Sequence, residues 1–94
     1  MQNTRNEYTD VLIQTIMSFD NAEDLYLFFE DLCTIKEFQD MALRLDTARH
    51  LSSGVNYENI TKLNGMSAAT ISKVSRCLNY GQGYKKALEK LSKK

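Results

Sequence analysis

The stretch Tyr57 to Leu78, YENITKLNGMSAATISKVSRCL, constrains the chain most, because its breaks and its apolar spacing admit few local structures. Ile60 and Leu63 share one side of a short helix that ends at Asn64-Gly65, where glycine takes the left-handed backbone that closes a helix. Ser67 then caps a second helix whose Ile71, Val74 and Leu78 recur at 3, 4 spacing and are expected to be buried. Ser67, Ala68, Ala69, Ser72, Lys73 and Arg76 are left facing outward. This is the layout of a helix-turn-helix, in which the first helix supports a second that presents its outer face to the major groove of DNA. The groove is about 12 Å wide, so small leading side chains matter, and Ala68, Ala69, Thr70 and Ser72 meet that limit. Thr70 and Ser72 can bond phosphate or base, an alanine methyl can meet a thymine methyl, and Lys73 and Arg76 can reach phosphate or a guanine edge.

Proline is absent and only four glycines interrupt 94 residues, so an all-α fold is expected, as one domain over 1–94. A first helix spans Tyr8 to Phe19, with Val11, Leu12, Ile13, Ile16 and Met17 as its apolar stripe. Asn21 caps a second, with Glu23 and Asp24 in its first turn, that carries the run Leu25 to Phe29 (LYLFF) and Leu32. Five consecutive apolar residues wrap most of the way around a helix, so one core cannot cover them all. A second copy of the chain is the expected cover, giving a homodimer through the first two helices.

Thr34 and Glu37 form a capping box that opens the longest helix, running to about Ser52. Its expected buried stripe is Ile35, Phe38, Met41, Ala42, Leu45, Ala48 and Leu51. Asn56 caps the first helix of the motif. Asn79 to Gly83 reads as a glycine-punctuated loop before a last helix, Tyr84 to about Leu91, that offers Tyr84, Ala87, Leu88 and Leu91 to the core. The expected divisions are a dimerisation core at about 8–53, a helix-turn-helix at about 57–79 and a C-terminal helix at about 84–91.

The formal net charge is zero, but the zero hides an asymmetry. Residues 1–61 hold four basic against eleven acidic side chains, a formal −7, and residues 62–94 hold eight against one, a formal +7. Positive charge therefore lies in and after the candidate reading helix, where a polyanion would be met. Lys62, Lys85 and Lys86 are candidate phosphate contacts, whereas Lys90, Lys93 and Lys94 read as a solvated tail.

Other chemistries find little support. Glu23-Asp24 and Glu30-Asp31 are adjacent on helices and diverge, no nucleophile has a histidine base, and no metal spacing or phosphate-cradling glycine loop is present. Cys33 and Cys77 read as small packing residues, and His50 as a residue favoured by the helix C-terminus. No apolar run approaches the roughly 20 residues of a membrane helix, and MQNTRNEYTD lacks a signal core, so a cytoplasmic protein that is not an enzyme is expected.

The run Phe28 to Gly81, with FFEDLC, ALRLDTAR and ATISKVSRCLNYG as its distinctive segments, resembles the Trp-repressor-like YerC/YecD family of bacterial proteins in the Trp repressor superfamily. The resemblance implies a six-helix, intertwined homodimer whose fourth and fifth helices read DNA, with Ser67 through Arg76 as the reading helix and Ala69, Thr70 and Ser72 facing the operator. By spacing it places Arg44 and Lys73 at two corepressor-binding arginines. Lys73 lacks the planar guanidinium fork, and Val74 replaces a glycine and fills space an indole requires, so no cofactor is expected. The implied function is a dimeric transcriptional regulator of double-stranded DNA, a repressor reading a near-palindromic operator. The alternatives are a protein-interaction module that docks through the helix-turn-helix, and an amino-acid-gated repressor resting on Arg44.

Overall fold

Five of the six helices open on a side chain that satisfies backbone N–H groups, and these caps set the element boundaries. In the computed structural model, which describes residues 4–93, the elements are α1 (Glu7–Ser18), α2 (Ala22–Leu32), α3 (Ile35–Ser52), α4 (Tyr57–Asn64), α5 (Ala68–Tyr80) and α6 (Gly83–Ser92), with no strand among the described residues. Lys94, assigned above to the solvated tail, lies outside the described residues. Asn6 Oδ1 accepts from the N–H groups of Tyr8 and Thr9, and Asn21 Oδ1 from that of Asp24. The Asn56 and Ser67 side chains do the same for α4 and α5, accepting from Asn59 N–H at 2.9 Å and Thr70 N–H at 3.2 Å.

The capping box of α3 is formed as expected: Thr34 N–H donates to Glu37 Oε1 at 2.8 Å, and Glu37 N–H to Thr34 Oγ1 at 3.1 Å. The Thr34 backbone bond, then its side-chain bond, holds the Glu37 carboxyl below its ordinary pKa. A depressed folded-state value means that this stabilisation is present above the ordinary carboxylate range and is lost as pH falls through the lowered value. Thermal melts of the protein and of Glu37→Gln are therefore expected to differ at neutral pH and to converge in strong acid; a constant gap would contradict this.

The chain forms two compact units, one ending at Phe38 and one beginning at Gln39, within α3. In the first, aromatic side chains pack in a series: Phe19 on Phe28, Phe28 on Phe29, and Phe29 stacked on Phe38 at 5.2 Å between ring centroids, with Tyr26 edge-on to Phe38. Yet no described residue of α1 or α2 is fully buried. Tyr26 and Leu27 are each 58% exposed and Met17 78%, the outcome expected when an apolar run wraps most of the way around a helix that its neighbours cover on one side only.

The second unit holds the core: Thr47 and Ala48 of α3, Ile60 of α4, and Ile71 and Val74 of α5, with Leu78 and the α6 residues Tyr84, Ala87 and Leu88 half-buried around them. Several expected positions differ. Ile35 and Met41 of the α3 stripe are 79% and 40% exposed, and Ala42 is exposed too, because full burial on α3 begins only at Thr47, where α4 and α5 supply the core residues. Leu63 is 63% exposed, because Asn64, four residues after Ile60, takes the inward place on α4. Leu91 is exposed near the α6 end. Cys77 is exposed rather than packed, on the rim of a depression of about 420 Å³ lined also by Leu45, Gly81, Gly83, Tyr84 and Ala87.

The expected loop from Asn79 to Gly83 is mostly helix. Tyr80 completes α5, Gly83 begins α6, and only Gly81 and Gln82 lie between. Gly81 N–H donates to Cys77 O at 2.8 Å, and a Cβ at Gly81 would sit 2.7 Å from that oxygen, so glycine lets the helix close tightly.

Candidate nucleic-acid interface

At 100° per residue, Ala69, Ser72, Lys73 and Arg76 fall within roughly 100° of one another on α5 and extend over about 10 Å of its length. All four are exposed, as are Ser67 and Ala68, while Ile71 (0% exposed) and Val74 (2%) anchor the opposite side. Small residues lead this face and the cations stand a turn or more behind them.

Thr70 is half-buried. Its hydroxyl accepts from Ser67 Oγ at 3.1 Å, and the same Ser67 oxygen accepts Thr70 N–H, so both hydroxyls serve the cap of α5. Tyr80, 85% exposed, continues the outward face at its far end; it was missed because the glycines after it read as a loop.

The cations fall into two groups. Among the described residues, the side chains of Lys73, Arg76 and Lys86 make no hydrogen bond or ion pair. Lys62 Nζ lies 3.4 Å from Glu58 Oε1, and Lys85 Nζ donates to Asn79 O at 3.3 Å near the α5 C-terminus. Both contacts are at the surface, where an ion pair such as that of Lys62 is worth about 0–1 kcal/mol and a hydrogen bond such as that of Lys85 about 0.5–1.5 kcal/mol net, so exchange for a phosphate costs little.

Arg44 is exposed on α3, and no bond joins it to Lys73; neither lines the depression beside Cys77. Among the described residues no three His, Cys, Asp or Glu side chains come together as metal ligands, and no helix is long and apolar enough to cross a membrane.

The turn between α4 and α5 is held from inside by polar groups that spacing alone did not reveal. Gly65, at φ 78°, ends α4 in the left-handed region, as expected. Asn64 Nδ2 donates to Asp46 Oδ2 at 3.0 Å and to Thr47 Oγ1 at 3.1 Å, and Asn64 Oδ1 accepts Met66 N–H at 3.0 Å. Thr61 Oγ1 donates to Met66 O at 2.8 Å. His50, in the last turn of α3, places Nε2 3.2 Å from the same Asp46 oxygen.

With this geometry in place, the comparisons with known proteins agree with one another. The family model for the Trp repressor protein matches residues 7–92. The uncharacterized protein YerC from Bacillus subtilis (strain 168) is 47% identical over 88 residues, which cover 93% of this chain and 85% of that protein. A crystal structure of a candidate Trp repressor from Staphylococcus aureus superposes with a TM-score of 0.89 at 37% identity, covering 94% of this chain and 89% of that one. A TrpR-like protein from Eubacterium eligens ATCC 27750 gives 0.90 at 38% identity, covering 94% and 92%.

Proposed function

Because the chain belongs to the Trp repressor family in sequence and shares the six-helix fold of TrpR-like structures, we propose that it is a dimeric, sequence-specific regulator of transcription, a repressor acting on double-stranded DNA in the cytoplasm. The observation that carries this reading is the outer face of α5, which is small at its leading end, cationic without internal partners behind, and anchored by Ile71 and Val74. On this reading Ser67, Ala68, Ala69, Thr70 and Ser72 enter the major groove, Lys73 and Arg76 reach phosphate or guanine, and Lys62, Lys85 and Lys86 neutralise phosphates. The Ser67 and Thr70 hydroxyls would contact DNA while remaining in the cap, since an oxygen that accepts one bond keeps a second lone pair.

The dimer is part of the proposal. It would cover the apolar side chains that α1 and α2 expose, and its two-fold axis would set two α5 helices about 34 Å apart, in successive major grooves of a near-palindromic operator. A tryptophan corepressor does not fit these residues. Val74 is packed into the core at 2% exposure, and no bond joins Arg44 of α3 to Lys73 of α5. The proposed reading activity therefore needs no bound amino acid.

Selection of bound DNA from a random pool tests the proposal. A near-palindromic sequence with half-sites one helical turn apart is expected to be enriched. An unenriched pool would contradict it and favour a helix-turn-helix that docks on protein.

A further inference from the structure

The inward place on α4 beside Ile60 is occupied by an amide where an aliphatic side chain would serve adhesion as well. Asn64 uses both amide donors on α3, one on Asp46 and one on Thr47, whose side chain is wholly buried, and it uses its carbonyl on Met66. Met66 lies between the Gly65 end of α4 and the Ser67 cap of α5, and both its backbone polar groups are gripped, N–H by Asn64 and C=O by Thr61. Hydrophobic contact is non-directional and leaves such a turn free to pivot, whereas four hydrogen bonds of defined geometry do not. No buried side-chain N or O among the described residues lacks a partner, so the network is complete.

We infer that Asn64 is the positioning residue of the reading unit: through Asp46, Thr47 and Met66 it fixes the direction in which α5 leaves α4, and so the selectivity of the α5 face for its DNA sequence. This rests on the DNA-reading role proposed above. Phosphate contacts tolerate a displaced helix because they reach a continuous backbone, but base-edge contacts fail when the helix is off by about an ångström. Asn64 touches no base. Its effect therefore falls on discrimination and leaves general affinity for DNA in place.

The test uses the full chain and two variants, Asn64→Leu, which keeps the bulk and removes the amide, and Thr61→Val, which releases only the Met66 carbonyl. Hydrogen exchange at the Met66 amide is expected to speed up at least about tenfold in Asn64→Leu, while the Ile71 and Val74 amides keep their wild-type rates. The affinity ratio between the selected duplex and a random duplex is expected to fall about tenfold or more, with random-duplex affinity and its salt dependence unchanged. A folded Asn64→Leu protein with a wild-type ratio would overturn the inference, and so would wild-type exchange at Met66. Should Asn64→Leu fail to fold, Thr61→Val is expected to move the ratio in the same direction by about threefold, and an unchanged ratio there would overturn it equally. If the wild-type protein itself discriminates between no duplexes, the DNA-reading proposal fails on that result, and exchange at Met66 still decides whether Asn64 holds the turn.

Discussion

Leu27→Asp is expected to leave the protein monomeric, by breaking the dimer proposed above, and to abolish operator binding with it. Leu27 is 58% exposed on α2, beside Tyr26 at 58%, and α1 adds Val11 at 61%, Ile13 at 53% and Met17 at 78%. A leucine side chain taken fully out of water contributes about 1.5–3 kcal/mol, and a two-fold interface counts each substitution twice. Because a partner can bury only the exposed 58% of each leucine, loss of both copies, before any cost of burying a carboxylate, raises the dimer dissociation constant roughly 20- to 400-fold. Sedimentation equilibrium across protein concentration reads this directly. A wild-type molecular mass for the variant would remove α2 from the interface.

Ala69→Glu is expected to leave the protein folded and dimeric and to remove its affinity for the selected duplex. The side chain is exposed on α5, where a substitution away from the core changes stability by about 0.5 kcal/mol or less. On DNA it places bulk and negative charge at the leading end of the helix, in both subunits. At about 1–3 kcal/mol for each mismatched groove contact, the dimer loses roughly 30- to 10⁴-fold in affinity. The two variants fail for separable reasons, assembly in one and contact in the other. Wild-type binding by Ala69→Glu would mean that the α5 face is not what meets DNA.

Much of this architecture could be read from the chain because helix ends are written in local chemistry. The Thr34 and Glu37 box, the Asn21, Asn56 and Ser67 caps and the left-handed Gly65 all act within a few residues of themselves, so their bonds follow from spacing. Ile71 and Val74 are buried where 3, 4 periodicity placed them. What periodicity does not carry is which part of an apolar stripe finds a neighbour: Ile35, Met41 and Leu63 have the right spacing and remain exposed.

The α5–α6 junction was misread for a related reason. Glycines at 81 and 83 signal a break, but Gly81 here allows a close approach to the Cys77 carbonyl, and that distinction depends on the path of the backbone. Asn64 was read as part of a turn because asparagine before glycine usually is one. Its partners Asp46 and Thr47 lie 18 and 17 residues earlier, beyond the reach of any local pattern. The outward face of α5 was legible from Ser67 to Arg76, within three turns of the cap that starts the helix, and was missed only at Tyr80, where the following glycines read as a loop.

The central claim is that two copies of the chain bring their α5 faces together onto one duplex, largely through cations. Equilibrium titration of the protein onto the selected duplex, repeated between about 50 and 200 mM salt, tests it most directly. The account predicts two chains bound per duplex and an affinity that falls by about 10³-fold or more across that range, as Lys62, Lys73, Arg76, Lys85 and Lys86 of each copy displace counterions. One chain per duplex, or an affinity indifferent to salt, would contradict it.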